Sequence, residues 1–177
     1  MPGPVFLEGE HVALRTIEED DLEYLQEQIN DPQVWRAIGR DRPVNAAQEQ
    51  SFYEDVVCTE DNVTLMITDE DAVGTVGLNG IDTGNDRAEL GYWVDPEHHR
   101  MGYGSDAASR IIEYGFQQLG LHRIEARVFE FNDASQALLE SVGFVEEGVH
   151  RDAEFIDGVY QDVHWYGLLE GEWRKRR

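Results

Sequence analysis

Two glycines, Gly102 and Gly104, stand one residue apart between an apolar strand-like run that ends at Val94 and a helix-like run. Turns of this kind bind phosphate groups, because closely spaced backbone N–H groups and a helix N-terminus both favour an anion. The segment "DPEHHRMGYGSDA" therefore predicts a site for a phosphate-bearing ligand.

Two well-known phosphate motifs fit this turn poorly. A P-loop requires Gly-Lys-Ser/Thr at the start of the helix, and the turn contains no lysine. The series Gly102-x-Gly104-x-x-Ala107 formally satisfies a dinucleotide fingerprint, in which the first glycine directly follows the strand. Here the segment "DPEHHRM" separates Val94 from that glycine. The sequence thus excludes a P-loop and disfavours a dinucleotide fold.

Hydrophobic periodicity predicts a single mixed domain of the α/β (α+β) class. Asn45 with Gln48, and Asp133 with Gln136, predict capping boxes at two helix starts, and Gly143 predicts the end of the second helix. The expected strands cover residues 5–15, 63–69, 72–81, 87–94, 123–129, 144–151 and 159–169, and the expected helices cover 18–30, 45–57, 104–119 and 133–142.

The segment from 99 to 104 resembles motif A of the GCN5-related N-acetyltransferases, the GNAT family. That motif reads Gln/Arg-x-x-Gly-x-Gly/Ala at the start of a helix. His99 takes the first position here, and Arg100 beside it is an alternative cation. The segments "AELGYW" and "NDASQALLESVGF" resemble the RimJ/RimL-like branch, which contains the ribosomal-protein N-terminal acetyltransferases. The resemblance is strong over 87–169 and looser over 5–86.

This resemblance implies one N-acetyltransferase domain over residues 1–177, of which 170–177 is a tail. The basic run "WRKRR" in this tail predicts a frayed, solvated end, with a patch for a polyanion as the alternative. The implied fold is a central mixed, mostly antiparallel sheet flanked by helices, whose fourth and fifth expected strands are splayed apart. The implied ligand is acetyl-CoA, with its pyrophosphate on the backbone of 99–105 and no metal ion. The residues implied to contact it are Trp93, Val94, His99, Arg100, Met101, Gly102, Tyr103, Gly104, Ser105, Asn132 and Ser135.

The implied reaction moves the acetyl group directly from the thioester to an amine. A backbone N–H at 93–94 is expected to polarise the thioester carbonyl. Glu89 and Glu154 are the candidate bases for the amine, and a structural or surface carboxylate is the alternative for each. Ser135 is the candidate proton donor to the thiolate, because Leu139 stands where many relatives carry a tyrosine. Its alternative is a helix-start serine bonded to the backbone.

The expected acceptor is the α-amine of a protein or peptide. A small amine, such as a polyamine, an amino acid or an amine antibiotic, is the alternative within the enzyme class. A non-catalytic acetyl-CoA-binding protein or an acidic interaction protein is the alternative outside it. The oligomeric state is left open, with a homodimer as one possibility.

The net charge of −23 comes from 37 acidic and 14 basic residues, and Lys175 is the only lysine. A halophilic surface explains both features, because salt screens the self-repulsion of acidic groups. An acidic partner mimic would explain only the acidity. Neither nucleic acid nor a membrane is an expected partner.

The sequence predicts a cytoplasmic protein. It contains a single cysteine, Cys58, and it shows neither a basic-then-apolar leader nor an apolar run of membrane length.

Overall fold

An eight-stranded sheet forms the centre of the fold in the computed structural model, which describes residues 2–177. The strands are β1 (Val5–Glu8), β2 (Ala13–Thr16), β3 (Val63–Asp69), β4 (Asp71–Asp82), β5 (Arg87–Val94), β6 (Arg123–Phe129), β7 (Val145–Ile156) and β8 (Val159–Leu169). The helices are α1 (Leu22–Ile29), α2 (Pro32–Ala37), α3 (Ala46–Phe52), α4 (Tyr103–Gln117), α5 (Asp133–Val142) and α6 (Glu170–Arg176). The strand order is β1-β2-β3-β4-β5-β6-β8-β7, and within residues 2–177 only β5 and β6 pair in parallel. The predicted mixed, mostly antiparallel sheet is confirmed.

Helix α4 covers one face of the sheet with a continuous apolar stripe. Ala107, Ala108, Ile111 and Ile112 recur at i, i+4 spacing and are buried, as is Phe116. These side chains join the main core against β4 and β5. Burial of an isoleucine-sized side chain contributes about 1.5–3 kcal/mol. The stripe therefore fixes the start of α4 beside the end of β5.

Strands β5 and β6 separate soon after they meet, which confirms the predicted splay between 87–94 and 123–129. Beyond the paired part, β5 continues beside β4 and β6 continues beside β8. The gap between them is a wedge in which backbone groups of β5 have no strand partner. The paired residues are Arg87 with Arg123, Ala88 with Ile124, and Glu89 with Glu125.

The predicted strand at 5–15 is wrong, because these residues form two strands joined by a turn. Asp106 of α4 holds the turn in place. Its carboxylate accepts the N–H groups of Glu10, His11 and Val12 at 3.0, 2.7 and 3.0 Å. The stabilising carboxylate lies far away in the sequence, so no local pattern marks this break.

The helix starts confirm one predicted cap and correct another. Asn45 and Gln48 form the expected capping box, with both N–H to side-chain oxygen distances at 3.0 Å. The box predicted for Asp133 and Gln136 is wrong. Asn132 is the N-cap of α5, and its side chain accepts the N–H of the residue three positions on at 3.1 Å. Asparagine and aspartate cap almost equally well, so the sequence alone does not separate them.

Two further segments differ from expectation. Pro32 begins α2, because Asp31 caps the helix by accepting the Gln33 N–H at 2.7 Å and proline suits the first helical position. The tail at 170–177 is mostly α6, anchored by Trp173, which is 7% exposed and lies 5.3 Å from the Phe116 ring. No helix within residues 2–177 is long and apolar enough to cross a membrane.

Candidate active site

A cleft of about 840 Å³ opens where β5 and β6 separate. Helix α2, the start of α4, helix α5 and strands β7 and β8 supply its other walls. The cleft brings together the residues that the sequence predicted, except Met101, whose side chain is 53% exposed and outside the lining. The predicted residues in the lining are Glu89, Trp93, Val94, His99, Arg100, Gly102, Tyr103, Gly104, Ser105, Asn132, Ser135 and Glu154.

The loop before α4 contains two residues in the left-handed backbone region, Arg100 with φ of 64° and Gly102 with φ of 81°. A Cβ at Gly102 would meet nothing within 4 Å, so glycine is needed there for its conformation. The loop leads into α4, a 15-residue helix whose positive dipole end lies at the cleft. The loop and the N-terminal end of α4 therefore both suit an anionic group that is bound by backbone N–H donors.

His99 ties this loop to the end of β5, with its Nε2 atom 2.9 Å from the carbonyl oxygen of Val94. The Asp95 N–H donates to the carbonyl oxygen of Val73 at 2.8 Å, so Asp95 faces β4 in the antiparallel ladder. By the alternation of such a ladder, the N–H and C=O groups of Tyr92 and Val94 face away from β4, into the wedge. His99 therefore holds the Val94 carbonyl, while the Val94 N–H faces the cleft.

Tyr92 is a residue of the cleft that the sequence analysis did not select. Its Oη atom lies 2.5 Å from the Oγ atom of Ser135, and both side chains line the cleft. Burial raises the pKa of Tyr92 to about 12, against a smaller lowering by the hydrogen bond to Ser135. Strand alternation shows only which face Tyr92 occupies. The contact with α5 depends on packing between distant segments.

Helix α5 presents its first turn to the cleft. Asn132 uses its Oδ1 atom to accept the Ser135 N–H, so its Nδ2 group is left to donate to a ligand. Within residues 2–177 no backbone carbonyl accepts the Ser135 hydroxyl proton, and the Ser135 Oγ atom lies against the Tyr92 hydroxyl. Leu139, on the same helix, is fully buried in the main core.

The two candidate bases have different surroundings. The Glu89 carboxylate lies 2.8 Å from the Nε atom of Arg127, whose guanidinium also lies 5.5 Å from the centre of the Trp165 ring. Glu154 is exposed on β7, and no hydrogen bond or ion pair within residues 2–177 engages its carboxylate. Glu89 is therefore held in an ion pair, whereas Glu154 is free to interact with an amine in the cleft.

Tyr103 and Gly104 have packing partners at the start of α4. The Tyr103 hydroxyl donates to Asp69, and its ring stacks on His98 with 6.4 Å between centroids. A Cβ on Gly104 would approach a Leu138 methyl carbon to 3.0 Å, so this glycine lets α4 lie close to α5. No group of three or more His, Cys, Asp or Glu side chains within residues 2–177 is arranged to hold a metal ion.

Comparison with known proteins gives a consistent result. A family model described as "Acetyltransferase (GNAT) domain" matches residues 11–145. The uncharacterized N-acetyltransferase p20 of Bacillus licheniformis is 33% identical over 93% of this chain and 96% of its own length. The ribosomal-protein-serine acetyltransferase of Escherichia coli is 30% identical over 59% of each chain. The crystal structure of spermidine N-acetyltransferase from Vibrio cholerae with CoA and spermine superposes with a TM-score of 0.87, at 26% identity, over 93% of this chain and 98% of that one.

Proposed function

Because the chain belongs to the GNAT acetyltransferase family, we propose that it moves the acetyl group of acetyl-CoA directly onto a primary amine, in the first place the N-terminal α-amine of a protein or peptide. One observation carries this proposal. The cleft in the β5–β6 wedge is lined together by Val94, the Ser135 hydroxyl and the Glu154 carboxylate. These groups are what acyl transfer to an amine requires: an oxyanion donor, a donor to the leaving sulfur and a base.

The cleft residues fit acetyl-CoA. The left-handed turn at Arg100 and Gly102 and the start of α4 provide backbone donors for a pyrophosphate. The Arg100 side chain has no ion-pair partner within residues 2–177 and can add a cation. Main-chain N–H donors suit this protein, because they bind an anion without lysine side chains, and the sequence contains only one lysine. Acetyl-CoA supplies an activated thioester, so the chain itself has to orient the reactants and handle protons.

The proposed roles follow from position. The Val94 N–H donates to the thioester carbonyl oxygen as negative charge develops there, an interaction whose removal typically costs about 10²–10³-fold in kcat. Glu154 accepts a proton from the incoming ammonium, directly or through a water molecule. Ser135 donates a hydrogen bond to the sulfur as the C–S bond breaks. Glu89 and Arg127 form an ion pair that shapes the cleft wall.

Two acceptor classes have support. An α-amine has a pKa of about 7.7–8.0, so it loses its proton near neutrality with help from an exposed carboxylate such as Glu154. An alkyl amine titrates nearer the lysine value of about 10.4 and needs a stronger base. A polyamine is the second candidate, favoured by the net charge of −23 and by the spermidine acetyltransferase neighbour.

An acceptor panel tests the proposal. Peptides beginning with Ser or Ala, the same peptides blocked at the N-terminus, spermidine and free amino acids would be incubated with acetyl-CoA, and the acetylated products identified by mass spectrometry. We expect the free peptides to be acetylated at the α-amine with the highest kcat/KM. A higher kcat/KM for spermidine would transfer the assignment to the polyamine class. No product from any amine would contradict an acetyltransferase role.

We also propose that the acidic surface is an adaptation to high salt. The 37 acidic residues outnumber the 14 basic ones, and the basic residues are almost all arginine. Screening by salt weakens the repulsion that a compact acidic protein otherwise suffers.

A further inference from the structure

We propose that Tyr92 is a positioning residue that acts through Ser135: its hydroxyl donates to Ser135 Oγ and thereby turns the Ser135 proton toward the thioester sulfur. The inference rests on the proposed acetyl-CoA-dependent function and adds a residue to it. The 2.5 Å separation of the two oxygens and their shared place in the cleft lining motivate it.

The direction of the hydrogen bond follows from the chemistry of the two hydroxyl groups. A phenol is far more acidic than an aliphatic alcohol, so Tyr92 is the stronger donor and Ser135 the better acceptor. The other acceptor near the Tyr92 hydroxyl is the backbone carbonyl of Ser135, at 3.4 Å, which is a poor distance for an O–H donor. A tyrosine hydroxyl is protonated at neutral pH, and burial raises the pKa of Tyr92 further, to about 12.

Donation by Tyr92 leaves Ser135 with one proton to direct elsewhere. A serine in the first turn of a helix often bonds to the backbone. Here the Ser135 N–H is taken by Asn132 at 3.1 Å, and no carbonyl within residues 2–177 accepts its hydroxyl. The Ser135 hydroxyl proton is therefore left to point into the cleft. Since hydrogen bonds in a chain polarise one another, donation by Tyr92 also strengthens the Ser135 O–H as a donor.

The step balances without a net proton from the enzyme. The amine nitrogen forms a bond to the carbonyl carbon, the C–S bond breaks and its electron pair stays on sulfur. The Ser135 hydroxyl stabilises that negative charge by hydrogen bonding. Glu154 and solvent take one proton from the ammonium before the attack and a second from the nitrogen as the amide forms, and the thiolate takes a proton from solvent after release. Tyr92 and Ser135 end the cycle as they began it.

The test uses the thiol pKa of bound CoA, which needs no acceptor. The absorbance of the thiolate would be followed against pH for CoA bound to the wild type, Tyr92→Phe, Ser135→Ala and the double variant. Tyr114→Phe is the matched control, because Tyr114 lies on α4 with its ring 5.2 Å from Phe6, outside the cleft lining. We expect the wild type to lower the thiol pKa relative to free CoA. Tyr92→Phe and Ser135→Ala should each raise it by about one pH unit, as loss of a hydrogen bond to a charged group implies.

The double variant decides whether Tyr92 acts through Ser135. If it does, the double variant matches Ser135→Ala, because Tyr92 has nothing left to orient. Additive shifts, or a Tyr92→Phe thiol pKa equal to the wild-type value, would overturn the inference. If the thiol pKa values follow the expected pattern but no amine is acetylated, the proposed function is contradicted and the inference about Tyr92 is not. Acetyl transfer with a thiol pKa insensitive to Tyr92 would contradict the inference alone.

Discussion

His99 Nε2 lies 2.9 Å from the carbonyl oxygen of Val94, and this contact joins the loop before α4 to the end of β5. The loop carries the proposed phosphate donors, and the strand end carries the proposed oxyanion donor. This side chain thus adds a direct link between the binding and reacting parts of the cleft, beside the packing of α4 on the sheet. Positioning of this kind matters because a small displacement of reacting groups lowers the rate severely.

Replacement of His99 by alanine should therefore weaken catalysis more than it weakens folding. Loss of one hydrogen bond corresponds to about 0.5–1.5 kcal/mol, or up to about tenfold in kcat/KM for acetyl-CoA. His99→Gln should recover part of the loss, because an amide N–H can reach the same carbonyl. His122→Ala, at an exposed position outside the cleft, is the control, and steady-state kinetics is the measurement. Equal kinetics for both alanine variants would rule out the proposed link.

Replacement of Gly102 by alanine should strain the loop without a steric clash. The left-handed conformation costs a non-glycine residue about 1–2 kcal/mol, and a Cβ there meets no atom within 4 Å. We expect lower thermal stability and about tenfold weaker CoA binding by calorimetry. Gly171→Ala is the control, since it lies in α6 without a positive φ or a close neighbour. Unchanged CoA binding in Gly102→Ala would contradict the role of this turn.

The two carboxylates of the cleft should respond differently to removal of charge. Glu154→Gln should lower kcat/KM for the amine by about 10²–10⁴-fold and leave CoA affinity nearly intact, as expected for a general base. Glu89→Gln should lose less than about tenfold, since its carboxylate is paired with Arg127. The opposite pattern would assign the base to Glu89.

Stability should fall at alkaline pH partly because of Tyr92. Burial raises the pKa of Tyr92 to about 12 in the folded protein, whereas an unfolded tyrosine titrates near 10. Between these values unfolding releases a proton, so the free energy of unfolding decreases as pH rises. Urea titrations from pH 9 to 12 should show a shallower decrease for Tyr92→Phe than for the wild type. A parallel decrease in both proteins would contradict this contribution.

Salt should stabilise the protein. The net charge of −23 means that acidic side chains repel one another, most strongly in dilute buffer. The melting temperature should therefore rise steeply from low salt to molar KCl. Differential scanning calorimetry across this range is the measurement, with sucrose as a control for general exclusion effects. A melting temperature indifferent to KCl would remove the high-salt interpretation and favour an acidic surface that serves a partner.

Local patterns predicted those parts of the structure that depend on neighbouring residues. The capping box of Asn45 and Gln48 and the left-handed Gly143 at the end of α5 are decided within one helical turn. The spaced motifs around Gly102 selected residues that line a common cleft in the structure. The turn held by Asp106 was missed, because Asp106 bonds to N–H groups as many as 96 residues away.

The Tyr92–Ser135 contact was missed for the same reason. Its partners lie 43 positions apart, on a strand and a helix that only packing brings together. The ion pair of Glu89 with Arg127 likewise joins residues 38 positions apart. Alternation along a strand decides the face that Glu89 occupies, but it carries no information about the partner of its carboxylate. Residue types can thus indicate which side chains belong to a site, whereas their hydrogen-bond partners depend on tertiary structure.

Direct acetyl transfer is tested most simply by one stoichiometric reaction analysed by intact-mass spectrometry. The protein, acetyl-CoA and a peptide beginning with serine would be mixed, and the peptide, the released CoA and the protein would be weighed at successive times. We predict that the peptide gains one acetyl group for each CoA released, while the mass of the protein never changes. CoA release without acetylated peptide, or an acetylated form of the protein that appears and decays as the product forms, would contradict direct transfer within the β5–β6 cleft.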